Sequence, residues 1–176
     1  REFYGHELQV GPGVLVPRQE TELLVDAVLE FAETHNLRRP LVADAGTGSG
    51  AIAIAVAKAL PGATVFGTDT SSAALRIAEA NALSHGVEGA VHLLQGDLLE
   101  PLTGPVDVVV SNPPYLATDE LAGLPREVRR EPEAALDGGR EGLDAISKLL
   151  RQAVSRVRRP GMIAVELAPR QLESVV

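Results

Sequence analysis

The sequence predicts an α/β fold built on a doubly wound, mainly parallel sheet. Three observations point there. Short apolar runs alternate with helical patterns, and turn residues separate them, as βαβ units require. The run Val106-Asp107-Val108-Val109-Val110 is nearly continuous β-branched residue, as a strand covered on both faces demands. A glycine-rich turn, Gly46-Thr47-Gly48-Ser49-Gly50, stands between an apolar run and an apolar helix. At 176 residues and 18.5 kDa the chain has the size of one ordinary domain.

The elements follow in order. The chain opens on Arg1-Glu2-Phe3 without an initiator methionine, so the native protein is expected to extend beyond it. Residues 1–19 are rich in Gly, Pro and charge and read as loops or a short hairpin. Glu20–His35 places Leu23, Leu24, Ala27, Val28 and Phe31 on one stripe and predicts a helix. Hairpin and helix form an N-terminal part, residues 1–40, expected to pack on a domain of residues 41–176. Strands are predicted at Leu41–Ala45, Thr64–Thr68, Ala90–Gln95, Val106–Ser111 and Met162–Leu167. Between them, Ala51–Leu60 is apolar almost all round and should be a buried helix. Ser71–Ser84 opens on two possible N-caps and closes at Gly86, a C′ glycine. Leu143–Val157 puts Leu143, Ile146, Leu149, Leu150, Val154 and Val157 on one stripe before Pro160-Gly161 stops it. Residues 112–142 read as loops or hairpins beside the working face.

Several chemistries are excluded early. Zero cysteines remove disulfides, thiolate nucleophiles and Cys-ligated zinc. The four histidines, at 6, 35, 85 and 92, share no motif, so no metal is expected. Gly48-Ser49-Gly50 is not a nucleophile elbow, and no Gly-Lys-Ser/Thr of a P-loop follows it. A net charge of −8 argues against a chain that grips nucleic acid backbone on its own. Arg126, Arg129 and Arg130 alternate with Glu127, Glu131 and Glu133, a solvated face or a partner contact. Arg156, Arg158 and Arg159 are expected to end the last helix, where cations suit its dipole. No apolar run spans a membrane and no secretory signal opens the chain, so a soluble, cytoplasmic protein is expected.

Four elements carry the chemistry. The turn at 46–50 lets backbone approach a ligand closely and offers free N–H groups at a helix start. Gly46-x-Gly48-x-x-Ala51 also satisfies a dinucleotide fingerprint, which keeps a nicotinamide or flavin enzyme in view. Asp69, at the end of the second strand, can accept hydrogen bonds from both hydroxyls of a ribose, or cap the next helix. Asp97, after the third strand, can accept from an adenine amino group, or close a turn. These sites fall on one rim of the sheet, where open α/β folds bind ligands. Ser111-Asn112-Pro113-Pro114-Tyr115 then follows the fourth strand. Its prolines stiffen the turn, leaving the Asn112 amide and the Pro113 carbonyl as acceptors for a planar NH₂ group, with Tyr115 packing nearby. That arrangement orients a weakly nucleophilic nitrogen toward an electrophile.

With the glycine-rich loop, Asn112-Pro113-Pro114-Tyr115 resembles the class I S-adenosylmethionine-dependent methyltransferases that modify planar nitrogens. Glu2-Phe3-Tyr4-Gly5, Val14–Glu22 and Glu131-Pro132-x-x-Ala135-Leu136-x-Gly138-Gly139 are similar to the HemK/PrmC family, the release-factor glutamine N5-methyltransferases. The resemblance runs from Glu2 to about Gln171. It implies a Rossmann-like sheet, truncated at both ends relative to the family. The implied cofactor is S-adenosylmethionine. Gly46, Thr47, Gly48, Ser49 and Gly50 would surround its amino-acid end, Asp69 its ribose, Asp97 and Leu98 its adenine, with Asn112 reaching it too. Catalysis and acceptor binding would fall to Asn112, Pro113, Pro114 and Tyr115. Phe3, Arg18, Glu20 and Thr21 would close the pocket opposite Asn112. The implied acceptor is the glutamine of the Gly-Gly-Gln motif in a peptide chain release factor; the alternatives are an adenine of DNA or RNA, flipped out, or a glutamine in another protein. For Pro17–Glu22, a simple helix start after a strand ended by Pro17 competes with the pocket role. Under the pocket role, Arg18→Ala and Glu20→Gln impair transfer with little loss of stability.

Overall fold

The computed structural model describes residues 1–175. Strands β1 (Glu2–Phe3) and β2 (His6–Glu7) form a small antiparallel hairpin, and α1 spans Glu22–Thr34. The main sheet then begins: β3 (Leu41–Ala45), α2 (Ala51–Ala59), β4 (Thr64–Asp69), α3 (Ser72–Ser84), β5 (Val91–Gln95) and β6 (Val106–Ser111). After a long excursion come α4 (Asp144–Ala153), β7 (Val157–Val165) and the short α5 (Leu172–Val175). The sheet order is β5-β4-β3-β6-β7, parallel throughout. The winding reverses between β3 and β6, which opens a crevice at the strand ends there.

Side chains alternate across the sheet and feed two cores. Val42, Val65, Val108 and Val110 meet α1, α2 and the hairpin's Phe3 on one face. Ala43, Ala45 and Val109 meet Leu99 and Leu102 from the β5–β6 connection and Leu149 and Ala153 from α4 on the other. Helix α2 is buried from Ala51 to Ala57, as its apolar circumference requires, and every residue of β6 is buried. Ser71 caps α3 by accepting from the Ala74 N–H at 3.2 Å, and Gly86 follows at φ +65°.

The structure corrects several boundaries. Helix α1 faces the core with Leu24, Val25, Val28 and Ala32, while Leu23 is 70% exposed. At 100° per residue, the stripe that holds Val25 and Val28 turns Leu23 outward. Helix α4 ends at Ala153, leaving Val154 82% exposed. Strand β7 starts at Val157 rather than Met162. Its pairing jumps from Val106↔Val157 to Val108↔Met162, so residues 158–161 loop out as a bulge. An edge strand tolerates proline and glycine in such a bulge. The arginines at 158 and 159 therefore belong to β7, not to a helix end, and Arg158 pairs with Asp107 at 3.0 Å. No strand runs into Pro17, since residues 8–18 follow β2 without regular structure, and residues 112–142 hold three short 3₁₀ turns, Thr118–Gly123, Val128–Arg130 and Glu133–Ala135. No helix among the described residues is long and apolar enough to cross a membrane.

Candidate active site

The glycine-rich turn is fastened from below. The N–H groups of Gly46 and Thr47 both donate to the Thr68 carbonyl at 2.8 Å. Asp44 Oδ2 accepts from the Thr47 hydroxyl at 2.6 Å and the Ala53 N–H at 3.1 Å, which ties the turn to α2. Burial raises the Asp44 carboxyl to about 6, against the pull of those two hydrogen bonds, and its Oδ1 is buried without a partner. Asn81, fully buried on α3, donates to the Ser49 carbonyl and grips the Gln9 backbone from both sides. Gly50 caps α2 at φ +82°, where a Cβ would stand 3.1–3.3 Å from Ala78 and Ile54. Only glycine suits that position.

Asp69 bridges the turn and the next helix. Its Oδ2 accepts from the Gly48 N–H at 3.0 Å and its Oδ1 from the Ser71 N–H at 2.8 Å. The cap of α3 is Ser71, so Asp69 is left facing the crevice. Asp97 pairs with Lys148 of α4, which also reaches Glu100.

A cavity of about 360 Å³ opens above these residues. It is lined by Gly46, Thr47, Gly48, Ser49, Asp69, Asp97 and Leu98 on one side and by Thr21, Asn112 and Pro114 on the other. A second cavity of about 240 Å³ is lined by Arg18, Asn112, Pro113, Tyr115, Val128 and Leu136. Leu15, Asn112 and Ala135 line both, so Asn112 stands at their junction. The Asn112 Nδ2 donates to Thr21 Oγ1 at 3.0 Å; Thr21, 4% exposed, donates to Glu166 Oε2 at 2.7 Å. Tyr115 donates to the other Glu166 oxygen at 3.2 Å. Burial, then the Glu166 carboxylate, hold the Tyr115 phenol above its ordinary range, so it stays protonated. Arg18 reaches across to Glu131 at 2.6 Å, joining the segment ahead of α1 to the 112–142 excursion.

Most of the expected site residues thus surround two adjoining cavities, and three do not. Phe3 is corrected: it is 1% exposed and packs in the core, because the hairpin turns it inward while Tyr4 reaches out to Asp26. Glu20 is exposed and lines neither cavity. Gly50 turns away into the α2–α3 contact. Sequence reading missed Glu166, Asn81 and Lys148. Among the described residues no group of three His, Cys, Asp or Glu side chains could hold a metal.

Solved structures share the architecture. A ribosomal protein L11 methylase from Lactobacillus delbrueckii subsp. bulgaricus superposes with a TM-score of 0.65 at 25% identity, over 93% of this chain and 68% of that one. TrmN from Thermus thermophilus gives 0.62 at 25% identity, over 88% and 40%. The sheet order and the loops at its rim are those of the class I, Rossmann-like methyltransferase fold. The family described as the methyltransferase small domain matches residues 19–129, and the chain belongs to it. Curated relatives are named release factor glutamine methyltransferase. That of Gloeobacter violaceus is 49% identical over 97% of this chain and 59% of its own length. That of Moorella thermoacetica is 48% identical over 99% and 62%. The chain spans about 60% of the length of these relatives.

Proposed function

We propose that the chain is the catalytic part of an enzyme that methylates the side-chain amide nitrogen of the glutamine in the Gly-Gly-Gln motif of peptide chain release factors, using S-adenosylmethionine. The names of relatives at 48–49% identity support the acceptor. The observation that carries the chemistry is the state of Asn112. Its Nδ2 is tied back to Thr21, and no donor among the described residues reaches its Oδ1 or the Pro113 carbonyl.

The residues present fit the cofactor. The first cavity has the size of a small-molecule site, and acidic Asp69 and Asp97 stand along it where hydroxyl and amino groups need acceptors. When bound, S-adenosylmethionine supplies a methyl group on a positively charged sulfur that departs as a neutral thioether. Asn112 Oδ1 and the Pro113 oxygen each accept one hydrogen of the glutamine NH₂. They hold the nitrogen lone pair in line and favour the positive charge that develops on it. Tyr115 and Leu136 wall the acceptor side, and Thr21 and Leu15 exclude water at the junction. The amide proton that is lost leaves to solvent; no general base is needed before methyl transfer.

The test pairs labelled cofactor with a release factor and with the same factor carrying alanine for the motif glutamine. Label on the first and none on the second is the expected result. Label on adenine-containing DNA or RNA instead assigns the acceptor to a base and overturns the reading.

A further inference from the structure

Four side chains meet where the end of β7, the segment ahead of α1 and the Asn112–Tyr115 turn converge. Glu166, one residue past β7, accepts the Thr21 hydroxyl on Oε2 and the Tyr115 hydroxyl on Oε1. Thr21 in turn accepts from Asn112 Nδ2 at 3.0 Å.

The direction of this chain follows from what each group can do. An ionised carboxylate only accepts, so both hydroxyl protons point at Glu166. Thr21 has a single hydroxyl proton and gives it to the carboxylate, so it can present only lone pairs to Asn112. The amide must answer with its NH₂ end. Its Oδ1 is thereby turned away from Thr21, at the junction of the two cavities. The flipped amide would set Oδ1 against a proton-less oxygen and offer a donor to a substrate NH₂ that is itself a donor. A buried polar group forced into such a mismatch is costly, so one orientation prevails.

We infer that Glu166 is a positioning residue that, acting through Thr21, fixes the Asn112 amide with its oxygen toward the acceptor nitrogen. It lines neither of the two cavities. The inference rests on the reading of Asn112 as an acceptor for a planar NH₂, but the amide's orientation is measurable without any substrate.

Two readouts test it on the full chain. In nitrogen-15 spectra, the Asn112 side-chain NH₂ of the wild type is expected to exchange with water at least about tenfold more slowly than a free amide. Thr21→Val and Glu166→Leu are expected to abolish that protection. In methyl-transfer assays both variants lose roughly 10²-fold in kcat, as misplacement by an ångström does. The Kd for S-adenosylmethionine changes far less than kcat, while Tm falls in both variants, because each leaves a buried polar partner unsatisfied. Thr21→Ser, which keeps the hydroxyl, recovers most of the turnover lost in Thr21→Val. Wild-type kcat in Thr21→Val, or an unprotected Asn112 amide in the wild type, overturns the inference. A protected amide in a protein that fails to label the release factor upholds the orientation and overturns the proposed acceptor. Should Glu166→Leu fail to fold, Thr21→Val carries the test alone.

Discussion

At Asn112 one small amide does two things: its nitrogen is held by Thr21 and its oxygen is left free between two cavities. Asn112→Ala removes the oriented acceptor, and turnover should fall by roughly 10²-fold or more, while cofactor affinity, measured by calorimetry, changes far less. Asp44 gives a prediction of a different kind. Burial lifts its carboxyl from 3.8 to about 6, so the folded state holds the proton more tightly than the unfolded chain. The contribution of this group is fully present only below pH 3.8 and is lost as pH rises through about 6. Between about pH 3 and 7.5 the wild type should lose on the order of 3 kcal/mol relative to Asp44→Asn, as read by denaturant titration at each pH. The motif residues around these two were legible because type and spacing carry their chemistry. Glu166 was not, although an acid at the end of the fifth strand lies on the same rim as Asp69 and Asp97. Asn81 and Lys148 sit inside helical patterns, and only the tertiary contacts reveal what they hold.

Among the elements, the helix α2 and its glycine turn were read correctly because an all-apolar helix has one place to go. The ends of α1, α4 and β7 were not, since each depends on what packs against it. The 112–142 excursion is held by close approach together with hydrogen bonds, among them the Leu116 N–H to the Leu136 carbonyl at 3.1 Å and the Gly138 N–H to the Leu116 carbonyl at 2.8 Å. A Cβ at Gly142 would lie 2.2 Å from the Tyr115 carbonyl and 2.6 Å from Gln171 Nε2. Buried Gln171 there donates to the Tyr115, Glu141 and Gly142 carbonyls, fixing the back of the Asn112–Tyr115 turn. The ion pair of Arg18 with Glu131 fastens the front. Its two partners are 35% and 10% exposed, and the second Glu131 oxygen is buried without a partner. Removing Arg18 strands that carboxylate. Arg18→Ala should therefore lower stability by roughly 1–3 kcal/mol in chemical denaturation, and adding Glu131→Gln should recover part of it. The sequence reading, under the pocket role for Arg18, expects little loss of stability in the same variant.

For the whole molecule, the alternation of strands and helices was enough to foresee a parallel sheet wrapped on both faces, and with it the rim where ligands bind. Choosing the ligand needs the whole crevice, because the glycine spacing also satisfies a dinucleotide fingerprint. S-adenosylhomocysteine at about a hundred times its Kd should stabilise the fold by roughly 2.7 kcal/mol and raise Tm by about 5–10 °C. NAD at the same concentration should leave Tm unchanged; a shift with NAD alone would return the chain to the oxidoreductases. The reversal of winding between β3 and β6 also orders the site along the chain. The groups facing one cavity come mainly from residues 46–98, and those facing the other come from residues 112–136 with help from 15–18. A recombination joint placed in residues 99–105 between two homologues would hand over most of one lining and keep most of the other, so the two specificities would be largely separable, with Leu15, Arg18 and Thr21 having to match the residues they meet across the joint.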